Sequence, residues 1–429
     1  MIKPEADALI RLVSTTYAFR CPLIHASSSP KEKLCFSQSF KTTGSHPTTQ
    51  TLTSQADASR DKLSVALVSA SHKTNNGAGT NVINAATTYL PMIQKLLVTC
   101  AVQPEMARLD ALLVFEWSSA FEAVDGMASK RLRILPSTCK SEAMMYELVM
   151  TLASEAMGKA VAGCDNGKAG EYAAAARLFK TAAGGMEFLA QDQLPKWANR
   201  GTNAMAKDLP AEATADSCDA LKILFLACAQ QMAVATALNK SEEPNSSLMA
   251  KLCLGISEQM ESFFNTMRSK ASSKMARMDS KLFSLAQFQL ELQKLLSSYF
   301  LSRSFWANNE HGIAIAILRE VLPSMKIQSA PTKRGLPNIE SLEVKKDVAT
   351  VHEHMQTLLR SWEKDNSTAY YDVIPSQVPE DSKLSAGTFI MKPETYTMEE
   401  NVQPVPLLLP ARKMPLAGLF GRSLTIQAK

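Results

Sequence analysis

The chain has 429 residues, a formal net charge of +5 and a charged fraction of 20%. This even balance, with no long basic block, gives nucleic-acid binding no support at the level of composition, and the length suffices for a large core. Hydrophobic residues make up 46% and aromatics only 7%; Ala, Leu and Met fill the apolar share, and they favour helices.

None of the eight cysteines sits at C-x-x-C spacing, and Cys228 and Cys253 lie in apolar helical stretches, where a thiol acts as a small hydrophobe. Reduced thiols in a cytoplasmic compartment are expected. No segment is expected to cross a membrane. The most apolar candidate, from Leu221 to Leu238, carries Lys222, Gln230 and Gln231 and is barely long enough. Glu5, Asp7 and Arg11 interrupt any signal-peptide core.

In chain order, residues 1–35 are weakly patterned and are expected to extend outside the fold. A helix is predicted over 58–72, then a turn at Asn75-Asn76-Gly77 and a helix over 81–102. Residues 112–117, aromatic and β-branched in part, predict a short strand. Ser141 opens a helix striped by Met144, Leu148 and Leu152, closing near Cys164. The next helix, 170–191, is expected to leave at Leu194-Pro195. Helices follow over 216–238 and 246–267; the second carries Met249, Cys253, Ile256, Met260 and Phe263 at a period of 3.6. The longest candidate is 279–308, followed by 313–322 and 344–365. Beyond Asn366 the chain is extended and punctuated by proline.

Consecutive helices with short turns imply a mostly α fold, a helical-hairpin solenoid of irregular repeat. A domain over 36–400 and a Pro-rich apolar tail over 401–429 are expected. Catalytic patterns are missing: there is no phosphate-cradling loop, nucleophile elbow or H-E-x-x-H. In His352-Glu353-His354 the two imidazoles are two apart on a helix and diverge, so a metal pair is not expected. Neither an enzyme, nor a cofactor, nor a metal, nor a small-molecule substrate is read from the chain.

Four segments, in order, resemble one family. They are Phe115-Glu116-Trp117-Ser118-Ser119-Ala120-Phe121; Leu178 to Gly184 with Gln193-Leu194-Pro195-Lys196; Trp362-Glu363-Lys364-Asp365-Asn366 followed by Tyr370-Tyr371-Asp372-Val373-Ile374-Pro375; and Gly387 to Pro393. Together they resemble the BRO-domain (Bro-one-like) family of ESCRT-associated adaptors, and are closest to its single-domain members. The resemblance implies a boomerang-like domain, a tetratricopeptide-like helical core wrapped by an extended C-terminal segment with a few short strands. It also implies a cytoplasmic, endosome-peripheral adaptor, recruited to the membrane through its partner. That partner would be an ESCRT-III subunit of charged multivesicular body protein 4 type, whose amphipathic helix lies in a concave groove.

Matched position by position, the resemblance puts apolar groove contacts at Val234, Leu248 and Leu252, a basic contact at Arg177, and Lys180 close by. On pattern alone the three apolar residues fit a solenoid core equally well. Tyr370 matches the signature tyrosine, a regulatory position in some relatives; packing of the extended segment is its simpler role. Val234 stands where some members carry an aromatic ring, and Ile426-Gln427-Ala428-Lys429 holds no cysteine for a prenyl anchor. These departures keep a second reading open, a helical scaffold for another partner such as a GTPase or signalling protein.

Overall fold

The computed structural model describes residues 4–25, 35–40, 47–71, 77–102, 113–122, 138–198, 209–240, 242–328 and 335–405. The solenoid is built from α3 (Pro47–Ser71), α4 (Ala78–Val102), α5 (Met144–Lys168), α6 (Tyr172–Phe188), α8 (Ala215–Leu238), α9 (Ser246–Ser269), α11 (Ser280–Ala307), α12 (His311–Val321) and α13 (Leu342–Asp365). Each packs on the next, as in other arrays of consecutive helical hairpins, although the connections over 103–143, 189–214 and 322–341 are long. The remaining helices are short: α1 (Pro4–Ser14), α2 (Phe36–Ser39), α7 (Leu194–Ala198) and α10 (Ser272–Met275). Side-chain oxygens of Asn245, Asp279 and Ser341 cap α9, α11 and α13, satisfying donors that a helix start otherwise leaves open.

Two helices, Ala78–Val102 and Ala215–Leu238, are long and apolar enough to cross a membrane by length and composition. Core helices pass the same test, and both are packed between neighbours here: α4 between α3 and α5, α8 between α6 and α9. All eight cysteines are free thiols.

Residues 4–25 correct the expectation of an N-terminal extension. Leu12 and Val13 of α1 are fully buried. The carbonyls that end α1 are taken by buried amides: Gln231 Nε2 donates to Val13 O (2.9 Å) and Gln289 Nε2 to Leu12 O and Thr15 O (both 2.9 Å). Arg11 forks onto Asp347 of α13 at 3.0 and 2.7 Å. A helix end in the interior must have its orphan carbonyls bonded, and α8 and α11 supply the donors. After α1, β1 (Leu23–Ile24) pairs antiparallel with β2 (Phe115–Ser118), which pairs with β3 (Thr138–Ser141).

The predicted strand thus lies at 115–118. The helix predicted from 58 begins eleven residues earlier, at Pro47. The expected exit at Leu194-Pro195 is displaced as well: a π-helical turn over Leu189–Gln193 carries the chain into α7. Pro195 is tolerated there because it sits in the first turn of the new helix. The helix predicted over 170–191 accordingly ends its α-helical part at Phe188. Asn75 and Asn76 lie outside the described residues, and so does the tail from 406 onward.

A buried polar node locks the first hairpins. Glu147 of α5 has no exposed surface. It accepts from Arg60 Nε (2.7 Å), Tyr89 OH (3.1 Å) and Trp117 Nε1 (2.6 Å). A buried carboxylate is tolerated only when paired and hydrogen-bonded, so one charge ties α3, α4, β2 and α5 together.

The extended segment 371–405 forms a strap across the helices. Its start is an aromatic stack: Trp306 lies parallel on Trp362 (4.5 Å, 3°), and Tyr370 lies on His311 (3.7 Å, 13°). Asn366 then clamps the backbone of Asp372, donating to its carbonyl (2.9 Å) and accepting from its amide (3.0 Å). Tyr371, in the left-handed region at φ 57°, makes the turn. From there the strap passes over α12, α9, α8, α6 and α5 and reaches α4, where Val405 N donates to Thr99 Oγ1 (3.1 Å).

Candidate protein-interaction site

Three neighbouring helices, α6, α8 and α9, carry every residue matched to the groove. Register follows from their bonds. Lys222 of α8 reaches Glu187 of α6 at 3.6 Å, and Gln230 Nε2 of α8 donates to Leu252 O of α9 at 2.9 Å. Counting along antiparallel helices from those pairs sets Val234 level with Leu248 on one side and close to the level of Arg177 on the other. The matched residues therefore gather at one end of the three-helix face.

They do not all reach its surface. Val234 is 0% exposed and Leu252 4%, whereas Leu248 is 46% exposed. Of the two readings open for these residues, groove contact or core, burial fits core for Val234 and Leu252, and Leu248 is the surface residue. Residues four apart share a helix face, but Leu252 is one turn nearer the strap and is covered. Arg177 is exposed and Lys180 partly so.

Sequence reasoning missed Ala233 and Ala237, which are half-buried beside Val234. Their small side chains leave room above the α8 backbone next to Leu248. Exposed Lys251 adds a third cation. Among the described residues, the side chains of Arg177, Lys180 and Lys251 make no ion pair.

The strap bounds this area. The amide of Gln230 grips it from both sides, donating to Thr388 O (2.9 Å) and accepting from Ile390 N (3.1 Å). Thr388 N donates to Lys251 O (2.9 Å), Gly387 N to Glu258 Oε1 (3.0 Å) and Glu394 N to Lys180 O (3.2 Å). The crossings require glycine. A Cβ on Gly255 would lie 2.4 Å from Thr388 O, and one on Gly184 only 1.7 Å from Glu394 O. Tyr396 then fastens the strap to α5, its hydroxyl donating to Glu155 Oε2 at 2.7 Å. Burial and the nearby Glu155 carboxylate push that phenol's pKa up, so it stays a neutral donor.

Chemistry of the catalytic kind finds little footing. Glu212 is fully buried, and burial pushes its carboxyl up to about 6. Its oxygens are occupied by Ser119 Oγ (2.8 Å) and the Ala120 amide, so it staples the β2 exit to the turn before α8. Cys218 and Cys253 are likewise buried, which raises their thiols above the usual range and keeps them protonated. His352 and His354 diverge as expected, His354 meeting Tyr299 OH at 3.3 Å.

The family model for a BRO1-like domain matches residues 59–408. No curated protein matches the sequence. Among solved structures, the ALIX BRO1 domain from a complex with CHMP4C aligns at a TM-score of 0.61 and 15% identity, over 92% of this chain and 99% of that one. A Bro1 domain described as a basis for endosomal targeting aligns at 0.62 and 16% identity, over 89% and 93%. ALIX in complex with the SIVmac239 late domain aligns at 0.58 and 15% identity, over 92% of this chain and 50% of that one. At these identities the likeness is one of fold.

Proposed function

The chain belongs to the BRO1-like domain family, and from that premise we propose that it is a non-enzymatic adaptor at endosomes. It binds the C-terminal amphipathic helix of an ESCRT-III subunit of charged multivesicular body protein 4 type. The binding face is the end of α6, α8 and α9 that the strap leaves bare. The ALIX structure with CHMP4C supports the class of partner.

The observation that carries the reading is exposed Leu248 standing beside half-buried Ala233 and Ala237, over a floor of Val234 and Leu252, with Arg177, Lys180 and Lys251 around it. An amphipathic helix places apolar residues at i, i+3/i+4 and i+7 into such a surface, and its carboxylates meet the cations. The small alanines let the incoming helix approach closely. Rim cations steer and set register more than they add affinity. Micromolar binding is expected, about −7 to −8 kcal/mol. Membrane recruitment runs through the partner in this reading.

The buried state of Val234 and Leu252 favours a second reading, a helical platform for a different partner such as a GTPase or signalling protein. Only Leu248 then remains as an open apolar anchor.

The test is calorimetric titration of the full chain with the C-terminal helix peptide of the charged multivesicular body protein 4 of the same organism. Saturable one-to-one binding that is lost in Leu248→Asp and weakened in Arg177→Glu, with helicity unchanged, is expected. Absence of heat with the protein folded would overturn the reading in favour of the second one. Binding unchanged in Leu248→Asp would keep the partner and move the site.

A further inference from the structure

A second surface lies at the last two helices of the array, between the turn after α12 and the first half of α13. There a cleft of about 360 Å³ opens between Lys326 and Ile327 on one side and Lys345, Val348, Ala349 and His352 on the other. Its wall is apolar and its cations are Lys326 and Lys345. The Nε2 atom of His352 is enclosed and, among the described residues, has no hydrogen-bond partner. Buried polar atoms are nearly always bonded, and an exception asks for a ligand.

The cations are not balanced from within. Among the described residues, Lys326 and Lys345 make no ion pair, and no carboxylate of α13 is bonded to them: Asp347 is bound by Arg11, and Glu343 at the helix start and Glu353 beside His352 are exposed to water. His352 is held below its usual range first by burial and then by Lys326. An anion in the cleft would relieve both effects, turning Lys326 from a repelling neighbour into a partner in one cluster.

A separate observation indicates where the anion resides. Leu342, at the first position of α13, is 80% exposed. It precedes Lys345 by three residues and Ala349 by seven, so it stands on the same helix face, at the outer edge of the cleft. Exposed Lys346 adjoins it. A lone leucine projecting from a cationic surface suits a bilayer interface, where the apolar side chain enters the acyl boundary and lysines meet headgroups.

We propose that this cleft is a phosphate-bearing lipid headgroup site, with Lys326, Lys345 and His352 holding the phosphate and Leu342 inserting beside it. The site does not depend on the helix-binding face and gives the chain a membrane contact of its own.

The experiment is co-sedimentation of the full chain with vesicles of phosphatidylcholine alone or with phosphatidic acid added. Binding to the anionic vesicles only is expected. Each lysine removed at the surface should weaken it about fivefold, so Lys326→Ala with Lys345→Ala drops it roughly 25-fold. Leu342→Ser should lower it about tenfold or more. All three residues are at the surface, so circular dichroism is expected to match the parent. Arg360→Ala with Lys364→Ala, which removes equal charge at the far end of α13, should leave binding within twofold. Equal losses in the two double variants would reduce the effect to net charge and overturn the site, as would no binding to any vesicle. A calorimetric arm with glycerol 3-phosphate separates the sources. Tight binding of this soluble anion without vesicle binding would make the cleft a small-molecule site and overturn the membrane assignment.

Discussion

The face of α6, α8 and α9 has a covered stretch and a bare stretch one helical turn apart. In the covered stretch the helices offer glycine at 184 and 255 and the amide of Gln230, and the strap backbone is bonded at each crossing. In the bare stretch they offer Leu248, two alanines and Arg177, with Lys180 and Lys251 at its border, and among the described residues none of these cations makes an ion pair. The first set of residues fits an extended chain that is always present: an extended segment in the interior must have its amides and carbonyls satisfied, and only a helix without a Cβ allows the approach. The second set fits a partner that comes and goes, because surface leucine and lysine cost little when left in water. Side-chain chemistry thus separates a permanent intramolecular ligand from an exchangeable one on the same three helices.

The largest test of this contrast is Leu252→Asp. With Leu252 at 4% exposure, the new carboxylate would be buried without a partner, and a loss of about 4 kcal/mol is expected. Urea unfolding would register it; a variant as stable as the parent would mean that Leu252 lies on the open surface after all. Next is Gly184→Ala. Helix propensity favours alanine by about 1 kcal/mol, but its Cβ would overlap Glu394 O. Overpacking of this kind costs about 1–3 kcal/mol, so steric overlap decides the sign. The strap should loosen, and limited proteolysis should cut within 387–396 before the helices yield.

Gln230→Ala should cost about 1 kcal/mol, since it leaves Thr388 O and Ile390 N of the part-buried strap without their side-chain partner. The same proteolysis reads the result, and an uncut strap would show that the glycine crossings alone hold it. Leu248→Asp, on the bare stretch, should change stability by no more than about 0.5 kcal/mol. A large destabilisation there would erase the contrast between the two stretches.

The long helices were legible because their apolar residues recur at 3.6: 246–267 was expected and Ser246–Ser269 is found. Residues 4–14 were not legible, because what makes them core is remote. Gln231 and Gln289, more than two hundred residues away, supply the donors for the end of α1. In the sequence Gln230 and Gln231 read only as polar interruptions of an apolar run. In the fold one holds the strap and the other holds α1. The strands β1 and β3 escaped for a similar reason: they are two and four residues long and exist through pairing with β2. At the groove, pattern put Leu248 and Leu252 on one face, and the structure exposes the first and buries the second. Pattern could not tell rim from floor, since Leu252 is buried in the core that the helices form with their neighbours.

The smallest expected effect concerns the strap's origin at Tyr370. Its ring lies flat on His311 and edge-on to Trp306 at 5.7 Å, and the residue is nearly half exposed. A packing role rests on the ring, so Tyr370→Phe should shift the unfolding midpoint by an amount within error, below about 0.5 kcal/mol. Tyr370→Ala should lose about 1 kcal/mol of ring contact and expose 371–375 to protease, because the turn at Tyr371 and the Asn366 clamp follow directly. A regulatory role rests on the hydroxyl and is read in binding rather than in stability. Phenylalanine would then leave stability untouched but abolish any change in partner binding that a tyrosine kinase produces. Measuring both variants for stability and for peptide binding before and after kinase treatment separates the two roles, and the stacked geometry favours the ring.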